Sequence, residues 1–140
     1  MPHSDFAHCT LVGANSRQES IPVKGKKGRT VELLTWTGQA IFRNGEIWTS
    51  SAVEVDEFNR GSGTVRGHQI FVHADGSTIT GTYEGKGKAE AGSNRYTARG
   101  TWRYAGGTGR ASGIKGGGTF KAHGAGDKFV SYVTGTATKA

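Results

Sequence analysis

Two carboxylates two residues apart, Glu54 and Asp56, are the pair in this chain best spaced for acid–base chemistry. Side chains alternate between the faces of a β-strand, so residues i and i+2 share a face. On a strand these carboxylates stand together, beside Trp48, Ser50, Ala52 and Phe58. Inside a protein, like charges so close raise one pKa, and the pair can work as general acid or base. Outside, they are an ordinary solvated pair. Ile47, Val53 and Val55 make a credible apolar face opposite, and on that ground the carboxylates are expected on the exterior.

Other chemistries find less support. Of the five histidines (His3, His8, His68, His73 and His123), His68 and His73 lie five apart and face opposite sides of a regular strand. No HxH or HxxxH spacing brings ligands together, and no metal site is expected. His68 and Tyr83 join Glu54 as candidates for a single ionisable group acting inside an apolar pocket. Cys9 is alone, which excludes an intrachain disulfide and a CxxC pair, and no base partner for it is identifiable. There is no GxSxG elbow. The run Gly106–Gly118 has the glycines and lysine of a phosphate loop, but it lies between strands with no helix following, so it reads as a turn. Nothing calls for a cofactor.

Arg95, Arg99 and Arg103 share one face of a strand whose other face carries Tyr96, Ala98, Gly100, Trp102 and Tyr104. A single-stranded nucleic acid site needs cations and aromatics on the same face. Here they are on opposite faces, so nucleic acid is not an expected partner. The net charge of +7 favours acidic partners, and it also keeps a sheet protein soluble.

The elements that must position these residues are strands. Gly numbers 24 and Pro only 2, and Thr, Val and aromatics are spread among the glycines. Asn44-Gly45 and Asp75-Gly76 are two-residue hairpin signals. Strands are expected over 29–43, 46–58, 64–73, 77–84, 94–104, 118–122 and 128–138, with a polar loop over 85–93. Residues 1–28 read as an irregular segment with short strands near 10–12 and 21–23. The expectation is one all-β domain: an eight-stranded antiparallel closed barrel, with a meander over 29–138, short hairpin turns and little or no helix. No signal peptide and no membrane span is visible, which gives a soluble protein, cytoplasmic by default. Trp36, Tyr83, Tyr96, Trp102 and Tyr104 are the aromatics expected to line an interior cavity. A homo-oligomer, dimer or trimer, is compatible with an apolar exterior, and nothing sets the number of subunits.

The stretch from Asp75-Gly76-Ser77 to Phe120 resembles the bacterial allene oxide cyclase-like barrels, a calycin-like group. The resemblance rests on Gly81-Thr82-Tyr83-Glu84-Gly85-Lys86-Gly87, on Gly100-Thr101-Trp102, and on Gly106-Gly107-Thr108-Gly109-Arg110 through Ile114 to Gly116-Gly117-Gly118-Thr119-Phe120. It covers about a third of the chain, and its motifs are structural turns. It implies a barrel whose mouth holds a small hydrophobic or amphipathic molecule, in a family that includes cofactor-free cyclases. The plant cyclases' catalytic residues have no identifiable counterparts here. A weaker likeness to avidin-type barrels, in Gly81–Glu84 and Arg95-Tyr96, comes without that family's biotin-loop pattern. Three readings follow: a binding barrel, a cofactor-independent isomerase or cyclase, and a polyanion-binding or structural protein using its arginine-rich exterior.

Overall fold

Alternating β-branched, aromatic and small residues, cut by Asx-Gly pairs, leave the chain little option but successive hairpins. The structure is a computed structural model that describes residues 2–140. It has eight antiparallel strands: β1 (Cys9–Pro22), β2 (Arg29–Phe42), β3 (Ile47–Asn59), β4 (Ser62–Val72), β5 (Thr78–Ala89), β6 (Arg95–Gly107), β7 (Ile114–Ala125) and β8 (Lys128–Lys139). Each pairs with the next, and β1 pairs with β8 from Cys9↔Val133 to Ala14↔Lys128, which closes the barrel. Gly45 and Gly76 have φ of 89° and 93°, the left-handed backbone that the two hairpin turns require.

Seven of the eight strands lie where the sequence places them, with shifted ends. β5 runs on to Ala89 through part of the expected polar loop, and β7 starts at Ile114, inside the glycine-rich run. What remains of that run as a connection holds a short 3-10 turn, Gly109–Ala111, between two strands. The expectation for residues 1–28 is corrected. Cys9–Pro22 is one continuous strand of the barrel, although Asn15–Ser20 is wholly polar, because β2 supplies backbone partners along to Pro22 while β8 pairs the first half, Cys9–Ala14. A register shift between Asn15 and Arg17 marks a bulge there.

The two ends of the barrel differ. At one end a 3-10 helix, η1 (His3–Ala7), is drawn into the lumen as a floor. Phe6 is fully buried, edge-on to Phe42 and Trp48 at centroid distances of 5.3 and 5.2 Å. The Tyr104 hydroxyl donates to the Phe6 carbonyl oxygen at 2.6 Å. Phe71, Ile79, Ala111 and Ile114 complete this dense layer. Outside it, Arg110 and His73 both pair with Glu46, at 2.6 and 3.1 Å, tying three floor-side turns together. At the other end, the turns around Gly25, Gly61, Gly92 and Gly126 surround an opening. Among the described residues, no helix is long and apolar enough to cross a membrane.

Candidate functional site

The lumen above the floor is a cavity of about 390 Å³, within the ~300–1,000 Å³ common for small-ligand clefts. Its walls are mainly apolar: Leu34, Trp36, Val65, Trp102, Phe120 and Phe129 among them. Trp36, Tyr83, Tyr96 and Trp102, four of the five aromatics expected inside, line it. The fifth, Tyr104, is corrected to the floor, where its hydroxyl is spent on Phe6. Burial holds the Tyr104 phenol well above its ordinary pKa. His68 is also corrected: it is exposed on the outer face of β4, opposite in phase to the inward Val65, Gly67 and Phe71.

Two glycines explain why the lumen stays open. Gly67 pairs across the sheet with Tyr83, and Gly124 with Tyr96. A Cβ at either glycine would run into the tyrosine ring beside it. Each ring therefore lies along the wall over its glycine, as aromatics do when they cover a glycine in a neighbouring strand. The same packing lets the Tyr83 side chain pass over β4 to β3, because Gly67 stands between Tyr83 and Glu54 in the sheet register.

At the end of that reach is the polar centre of the cavity. The Tyr83 hydroxyl donates to Glu54 Oε1 at 2.5 Å and accepts from Trp36 Nε1 at 2.9 Å. Asp56 lies two residues along β3, and Glu32 is its direct register partner on β2. All three carboxyls line the cavity. This overturns the exterior placement of Glu54 and Asp56. The residues that argued for it, Ile47 and Val53, are themselves on the outside, 54% and 61% exposed. Asp56 is 5% exposed, and its Oδ1 has no hydrogen-bond partner.

The electrostatics follow from that crowding. Burial, then the hydrogen bond to Glu54 and the charges of Glu54 and Glu32, push the Asp56 carboxyl up to about 9. Glu32 is also raised, chiefly by burial, with the Glu54 charge adding to it and a Gln18 hydrogen bond opposing it. Burial and the nearby Glu54 charge hold the Tyr83 phenol protonated far above the ordinary range. Tyr96 is pushed up to about 12, mostly by burial. At neutral pH the raised Asp56 carboxyl holds its proton and can donate it in the hydrogen bond to Glu54. No lysine or arginine pairs with Glu32, Glu54 or Asp56 among the described residues; Lys88 stands at the mouth.

Reasoning from sequence missed Glu32, Phe58 and Phe129 as cavity residues. Glu32 could have been found from its phase with Leu34 and Trp36 on β2, two and four residues on. Arg95, Arg99 and Arg103 are exposed, with no aromatic on their face of β6. Cys9 is buried near the floor, and burial pushes its thiol up to about 12. No family model, curated protein or solved structure matches the chain.

Proposed function

We propose that this barrel binds a small amphipathic molecule in its open end. The observation that carries the reading is the cavity itself: apolar aromatic walls around one buried, hydrogen-bonded polar centre, open to solvent on one side only. The dense floor blocks passage through the lumen, so the barrel is shaped as a cup. The resemblance to the allene oxide cyclase-like barrels implies the same kind of ligand.

Blocking the cup tests this. Ala98 lines the cavity between Tyr96 and Trp102 on β6. Titration with octan-1-ol, followed by tryptophan emission and calorimetry, should saturate with the native chain. Binding should vanish in Ala98→Trp with the β-sheet circular dichroism unchanged. Absence of saturable binding to the native chain, or equal binding to the filled variant, overturns the proposal.

A second reading, a cofactor-independent isomerase, is favoured by the proton that Asp56 holds beside Glu54. Glu54 would take a proton from a substrate carbon while the Asp56 carboxyl returned one elsewhere, so the two steps balance without a cofactor. Unlike binding alone, it requires solvent deuterium to enter the bound molecule.

A further inference from the structure

The cup is acidic inside a basic protein. The chain carries a net charge of +7, yet among the described residues the cavity below its mouth is lined by three carboxyl groups, Glu32, Glu54 and Asp56, and by no lysine, arginine or histidine. These three come from two neighbouring strands, with Glu32 directly beside Asp56 and Glu54 one step deeper. Their hydrogen-bonding capacity is only partly used. Glu54 accepts from Tyr83, and Gln18 bonds Glu32, but Asp56 Oδ1 is buried in the lumen wall without a donor. A buried acceptor without a donor is costly, and one that lines an open cavity is placed to accept from a donor that enters it.

We infer that the polar end of the ligand is a protonated amine seated against Asp56 and Glu54, with its apolar body along the aromatic wall. This rests on the cup reading proposed above. An ammonium brings three donors and no acceptor, the complement of a site rich in acceptors. Trp36, Tyr83 and Tyr96 line the same cavity, and aromatic rings attract cations that settle over their faces. A carboxylate or phosphate would face like charge with no cation to receive it. A metal ion fits less well, because no three His, Cys, Asp or Glu side chains among the described residues are grouped to hold one. The exposed cations at the rim, Lys88, Arg95 and Lys128, lie beyond the apolar wall and are screened by solvent.

Three chains of equal length separate the possibilities: octylamine, octan-1-ol and octanoate, each titrated calorimetrically near neutral pH. The amine should bind about tenfold or more tighter than the alcohol, the usual gain of a charge-assisted over a neutral hydrogen bond. That preference should fall to within about threefold in Glu54→Gln and in the double variant Glu54→Gln/Asp56→Asn, with alcohol binding retained as evidence that the cup still forms. Equal binding of amine and alcohol, tighter binding of octanoate, or an amine preference that survives both substitutions would overturn the inference and leave the cup reading standing. Failure of all three probes would overturn both.

Discussion

Replacing Asp56 with asparagine should make this protein more stable at neutral pH, by an amount that grows as pH rises. In the folded chain the Asp56 carboxyl stays protonated up to about 9, whereas its ordinary value is 3.8. Between those limits, unfolding releases a proton. The unfolded state then binds fewer protons than the folded one, so stability falls with increasing pH. Each pH unit is worth about 1.4 kcal/mol. The cost begins near pH 4, reaches on the order of 4 kcal/mol by pH 7, and levels off above the folded-state value. Asparagine has nearly the same shape, can donate to Glu54 as the protonated acid does, and has nothing to ionise. Urea unfolding of both chains at about pH 4.5, 6 and 7.5 measures the difference directly. The gap should be small at the lowest pH and widen by up to about 1.4 kcal/mol per unit. A gap that does not change with pH, or a variant less stable throughout, would show that Asp56 is ionised in the fold and refute the reasoning.

Two further substitutions test the framework of the cup. Phe6→Ala removes the ring that seals the floor and should cost about 3–5 kcal/mol. For a chain of this length that is a fall of about 10–17 °C in Tm by calorimetry, and an unchanged Tm would mean that η1 adds nothing to the core. Gly67→Ala puts a methyl where the Tyr83 ring lies, so the ring must swing away and release both Glu54 and Trp36. A loss of about 1–3 kcal/mol is expected, with a shift in tryptophan emission; native stability and emission would refute the contact.

What could be read from the sequence, and what could not, divides on physical grounds. The hairpins at Asn44-Gly45 and Asp75-Gly76 were legible because a backbone with positive φ narrows the choice of residues. The two faces of β6 were legible because every alternate residue from Arg95 to Arg103 is polar while those between are aromatic or small. The inward face of β3 was not. A barrel exterior that keeps Ile47 and Val53 in contact with solvent makes the wrong face look like the core, and the buried carboxyls then look like surface. Nor was β1, whose polar second half has no alternation of its own and is held by β2. The centre of the site depends on the register of β3, β4 and β5 together. Only that register places Gly67 beneath the path from Tyr83 to Glu54.

The seam between β1 and β8 governs how the cup comes into being. It joins Cys9 to Val133, nearly the full length of the chain apart. Contacts so distant in sequence form late, because the loop they close must lose its freedom before they repay it. Until β8 arrives, β1 can pair only with β2, and η1, which packs chiefly against β8, has no surface on which to dock. An earlier intermediate would be a curled sheet with two open edges and its aromatic face in water. Closing that seam is what encloses the cavity and gives η1 its place in the floor, whereas the contacts among Trp36, Glu54 and Tyr83 need only β2 to β5. A ligand that binds the finished cup pulls that closure forward without touching the steps before it.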